Sequence, residues 1–152
     1  MQLTVREKII QAIGEALSRI HPANGFQRAY RNVLRGRVDP SGIKSFPSIV
    51  YFDGSETSED VPHGHETLDM AITVEVWVAV NSPLTLSEEL NVALGDIRHG
   101  MLADHTFGGL VLHIAYLGAE PNLGEVAAPL GMVSAMFNIR YRTRYGDPYT
   151  QF

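Results

Sequence analysis

The sequence predicts an α+β fold: a mostly antiparallel sheet of about five strands with two main helices packed on one face, in the order α-β-β-β-α-β-β. Three observations predict it. From Glu66 to Val80 the even positions Leu68, Met70, Ile72, Val74, Val76, Val78 and Val80 are all apolar while the odd positions are mixed, the period of a strand with one face on a core. Gly131 to Tyr145 alternates in the same way. Thr4 to Ile20 and Thr85 to Leu102 instead carry apolar residues at three- and four-residue steps, and each opens on a T-x-x-E capping box, Thr4 with Glu7 and Thr85 with Glu88. Two apolar helix stripes need a common cover, and one face of an antiparallel sheet supplies it.

Taken in order, the first helix buries Val5, Ile9, Ile13, Ala16, Leu17 and Ile20, and His21-Pro22 ends it, because the residue before proline is pushed out of the helical region. Phe26 to Gly36 reads as a strand after an Asn24-Gly25 turn. Asp39-Pro40-Ser41-Gly42 is a turn, and Ser48 to Asp53 is a short apolar strand. Residues 54–64, GSETSEDVPHG, are polar and acidic and read as a mobile loop. The long strand from Glu66 would reach roughly 50 Å at 3.3 Å per residue, so part of it is expected to stand beyond the compact body, where another subunit can touch it. Asn81, Ser82 and Pro83 break it. The second helix has Leu86, Leu90, Leu94, Ile97 and Met101 as its stripe. Leu110 to Leu117 is a strand, Gly118 to Pro129 a connection, and Gly131 to Tyr145 the last strand, followed by a C-terminal tail at 146–152. Without repeats or low-complexity stretches, residues 1–152 read as one domain.

Composition excludes several classes. The 152 residues are 45% apolar and 19% charged, the balance of a globular chain able to hold its own core. A formal charge of -5 argues against nucleic acid as the main partner, since phosphate binding draws on Lys and Arg. Zero cysteines exclude disulfides, thiol catalysis and thiolate metal sites. Charges interrupt MQLTVREKII where a signal peptide needs an apolar run, and no 18-residue apolar span occurs, so a soluble protein made in the cytoplasm, without membrane contact, is expected.

Candidate chemistry is sparse. His63 and His65 are two residues apart, with Glu66 and Asp69 nearby, and are the one weak metal candidate; no third ligand has a recognisable spacing. No G-x-S-x-G elbow, phosphate loop or dinucleotide fingerprint is present, so neither catalysis nor a cofactor is expected. Interaction is the better-supported reading. Helices cover one face of the sheet and leave Trp77, Ala71, Ala79 and Met136 on the other, beside a basic row, Arg140, Arg142 and Arg144, that ends at Tyr145. A wet face with scattered apolar residues explains these as plain surface. Alternatively, copies of the chain cover one another in a ring, with the basic row meeting Glu56, Glu59 and Asp60 of a neighbour.

The helix VREKIIQAIGEAL, the strands FPSIVYF and TLDMAITVEVWV, the helix LNVALGDIRHGM, the segment DHTFGGLVLHIAYLG and the ending FNIRYRTRYGDP together resemble tail terminator proteins of tailed bacteriophages. The resemblance spans nearly the whole chain. Its most specific parts are Asn91, Leu94, Asp96 and Ile97, the turn from Asp104 to Leu110, and the run from Tyr141 to Pro148. It implies a virion protein that sits as a hexameric ring on the head-proximal end of the tail tube, stops tube growth, and offers a surface to the head connector and, in contractile tails, to the sheath. DNA would pass through the lumen without sequence-specific contact, and Asp53 and Glu56 are then candidates for its acidic lining. A neck or tail-completion protein, and an α+β enzyme with a metal on His63 and His65, are the alternatives.

Overall fold

In the computed structural model, which describes residues 1–37, 39–61, 63–80, 83–122 and 130–152 and not the side chains of 40, 60, 61, 83 and 84, helix α1 spans Val5–Ser18. Thr4 caps it, its Oγ1 accepting from the Glu7 amide at 3.1 Å. Val5, Ile9, Ile10, Ile13, Ala16 and Leu17 form its buried stripe. Helix α2 (Pro83–Leu102) buries Leu86, Leu90, Ala93, Ile97 and Met101.

Six strands make one sheet: β1 (Asn32–Arg35), β2 (Ser48–Val61), β3 (His65–Ala79), β4 (His113–Asn122), β5 (Leu130–Arg144) and β6 (Asp147–Gln151). Their order is β1-β2-β3-β5-β4, with β6 also on β5, and only the β1–β2 pair is parallel. Strands β3 and β5 stay paired from His65 opposite Arg144 to Ala79 opposite Leu130. The even side chains of β3 and the odd ones of β5 face both helices and share one apolar cluster with them, so the predicted layering of two helices on one sheet face holds. Burying each such Ile, Leu or Phe contributes roughly 1.5–3 kcal/mol, which makes this layer the main source of stability. The opposite, outer face is half-exposed along its middle. At its β2 side the β1–β2 connection lies over it: Arg37 stands 5.0 Å over the Phe52 ring, and Val50 is fully buried although it points away from the helices.

Five expectations change. Residues 54–61 of the supposed mobile loop continue β2 and pair with β3 up to Val61 opposite His65, so among the described residues only 63 and 64 lie between the strands. Polar residues are at home there because both faces of that stretch are open to water, and alternation signals a strand only where one face is buried. The supposed tail at 146–152 contains β6. The first strand is shorter than expected, 32–35 in place of 26–36, because the amides of Gln27 and Arg28 donate to the Asp96 carboxylate instead of to a ladder. Helix α2 starts at Pro83, two residues before Thr85, so Thr85 stands in its first turn and Glu88 in its second, later than the expected capping positions. Strand β4 also runs later than expected, from 113 to 122. The expected break at Asn81 and Ser82, the 123–129 part of the connection, and the side chain of Asp60 fall outside the described residues.

Candidate functional site: the tip of the sheet

The inner face is apolar as far as Leu68 and Tyr141 and polar beyond them, so the far ends of β2, β3 and β5, with β6, form a distinct tip. On its inner side Arg6 of α1 donates to Asp53 Oδ2 at 2.6 Å, to Glu56 Oε1 at 2.9 Å and to the Gly54 carbonyl at 3.0 Å. The Tyr141 hydroxyl donates to the same Glu56 oxygen. Partial burial works against the Asp53 charge, yet the hydrogen bond and charge of Arg6 outweigh it and hold that carboxyl below its usual range. Burial, and then the Glu56 carboxylate, push the Tyr141 phenol up. A cavity of about 320 Å³ opens between this cluster and the β5–β6 turn, lined by Thr4, Glu66, Thr143 and Asp147 among others. Asp53 and Glu56, the expected lumen-lining pair, are thus held by α1 within the chain.

On the outer side Asp69 accepts a bidentate pair from Arg140, at 3.0 and 2.9 Å, and a bond from Asn138 at 2.8 Å. These bonds hold the Asp69 carboxyl below its usual range. Arg142 donates to Thr67 at 3.3 Å, while Arg144 is exposed and makes no ion pair among the described residues. Glu59 lies opposite Thr67, itself opposite Arg142, so its backbone sits two strands from that of the basic row, about 10 Å away, and its charge still acts on Arg140 without forming an ion pair. Tyr145, Tyr149 and Phe152 are 62%, 41% and 59% exposed and crowd the β5–β6 corner. Trp77 is not part of this group. It pairs with Met132 near the opposite end of the sheet, about 40 Å from His65 along β3, and its indole donates to Glu75 at 3.4 Å.

The histidine pair does not converge. His65 is buried and stacked on Phe152 with ring centres 4.4 Å apart, its Nδ1 without a hydrogen-bond partner, whereas His63 is exposed in the turn. Among the described residues no group of three or more His, Cys, Asp or Glu is placed to hold a metal ion, and no helix is long and apolar enough to cross a membrane. Sequence reasoning missed Arg6 and Phe152, and took Asp69 only as a carboxylate near the histidine pair. Asp69 had a signal, an acid among the outward positions of an alternating strand, but its arginine partner lies 71 residues away.

No family model and no curated protein matches the chain. Among solved structures it is similar to a chain of the "Virion of native gene transfer agent (GTA) particle", at a TM-score of 0.40 and 11% identity over 90% of each chain. A likeness at that level carries no role from one chain to the other.

Proposed function

We propose that this protein is a non-enzymatic structural component of a tailed virion, a ring-forming terminator that sits on the head-proximal end of the tail tube, stops its polymerisation and presents a surface to the head connector. The observation that carries the reading is the tip: exposed arginine and aromatic side chains on one corner of a sheet and exposed acids on the other. Arg and Tyr are the residue types that anchor protein interfaces. The resemblance of the sequence to tail terminators supplies the identity of the partners: sister copies, the tube protein, a neck or connector protein and, in a contractile tail, the sheath. DNA passing through such a ring would meet few Lys or Arg, in keeping with the net charge of -5.

The test is electron microscopy of purified protein mixed with growing tail tubes. A ring at one tube end, with tube length arrested, supports the reading. Binding to the connector with no effect on tubes replaces it with a neck protein. Binding to neither overturns it.

A further inference from the structure

Beyond residue 51 the side of β2 that faces away from β3 has no neighbouring strand among the described residues, because β1 pairs only with Ser48 to Tyr51. The Tyr51 carbonyl accepts from Gly36, so it points to that side, and the irregularity between Asp53 and Glu56 shifts the alternation by one. Glu56, Ser58 and Asp60 therefore turn their backbone groups outward. This edge offers unpaired backbone carbonyls and amides in equal number, with the exposed Glu59 carboxylate beside them.

The opposite corner of the tip has the reverse character. Strand β6 extends the edge of β5 where β4 stops, with Leu112 and Phe152 donating to the carbonyls of Arg140 and Arg142 in turn. Pro148 and the bond from the Tyr149 amide to Asp147 at 3.0 Å blunt it as a template for a further strand. What it offers is side chains: the exposed guanidinium of Arg144, whose charge Asp147 opposite it offsets in part, and the exposed rings of Tyr145 and Tyr149.

We infer that the β2 edge around Glu59 of one copy receives the β5–β6 corner of a second copy, Arg144 and the tyrosines donating to its carbonyls and carboxylate. Charge complementarity favours a second copy as the occupant, and so does height. Residues 59–61 of β2 lie level with residues 142–144 of β5, where β6 attaches, so each addition displaces the next copy sideways without a climb along the strands. A one-way contact closes into a ring when its rotation closes and it does not climb, and otherwise makes an open filament; the tip meets the second of these conditions. The contact deepens the ring reading and rests on it for the closure, while the pairing itself stands on the geometry of the tip.

The test is mass photometry and sedimentation of the full chain over a concentration series. The parent should self-associate, and Glu59→Arg or Arg144→Glu alone should weaken that at least about tenfold, as for a close interfacial charge pair. An equimolar mixture of the two variants should regain association, because the restored pair forms only between different chains. Both sites are exposed, so the monomers should keep the parent circular dichroism spectrum. A parent that stays monomeric, variants that associate like the parent, or a mixture no better than its components would each overturn the contact. Copies that associate as expected yet ignore tail tubes would overturn the virion reading and leave the contact standing.

Discussion

The Tyr30 hydroxyl donates to Asp96 Oδ2 at 2.9 Å, and the same buried carboxylate takes the amides of Gln27 and Arg28 at 2.9 and 3.0 Å. One acid on α2 thus satisfies three donors of a segment that makes no ladder there. Burial first, and then the Asp96 charge, push the Tyr30 phenol well above its ordinary value. Asp96→Ala would leave those donors without an acceptor and should cost about 3 kcal/mol, against about 1 kcal/mol for Tyr30→Phe, which removes one donor and strands nothing. Urea denaturation of the two variants measures both, and an Asp96→Ala loss no larger than that of Tyr30→Phe would show that the segment does not depend on the carboxylate.

Two helical glycines should respond in opposite directions to alanine. Helix propensity alone favours each change by about 1 kcal/mol. A Cβ on Gly95 meets nothing within 4 Å, so Gly95→Ala should stabilise by roughly 0.5–1 kcal/mol. A Cβ on Gly14 would lie 2.4 Å from the hydroxyl oxygen of the buried Tyr51, and overpacking of that kind costs roughly 1–3 kcal/mol, so Gly14→Ala should destabilise. Thermal melts of both variants decide it; a higher Tm for Gly14→Ala would mean the ring moves aside freely.

Acid should weaken the fold. Hydrogen bonds from Arg140, Arg28 and Arg35 hold Asp69, Glu89 and Glu7 below their usual values. A carboxyl lowered in the folded state adds stability that is complete above its unfolded value near about pH 4 and is lost as pH falls through the folded one. Tm should therefore hold between pH 7 and 5 and fall below about pH 4, less steeply in high salt because the pairs are partly exposed. Arg140→Ala should flatten part of that fall, and a profile identical to the parent's would remove Asp69 from the account.

Arg6→Ala should loosen the tip selectively. It deprives Asp53, Glu56 and the Gly54 carbonyl of their common donor and releases the β2 end from α1. Amide exchange should quicken at residues 54–61 while the amides of β3 and β5 from Ile72 to Phe137, beneath the apolar layer, keep their protection. Uniform acceleration along the chain would instead mark Arg6 as a support of the whole fold.

The layered core was legible because half-buried strands and one-sided helices write their period into the chain: Leu68 to Val78 and Val133 to Tyr141 announced their faces, as did Val5 to Leu17. The tip was not. Gly54 to Val61 and Asp147 to Gln151 form strands with little or nothing to bury, and polar residues without a buried face leave no period to read. Of the candidate interaction residues, Arg140, Arg142, Arg144, Tyr145, Glu56 and Glu59 do share that tip, whereas Trp77 lies at the far end of the same strand pair.

The sequence by itself determined the α+β layering, the two helix stripes and the basic row, all of which follow from local periodicity and side-chain type. Only the tertiary structure decided which charges are paired inside the chain, Arg140 with Asp69 and Arg6 with Asp53 and Glu56, and which stand exposed without an ion pair among the described residues, Arg144 and Glu59. The physical reason is range: a strand's period is set by adjacent residues, but an ion pair is set by register between segments 47 to 71 residues apart, which no local pattern encodes.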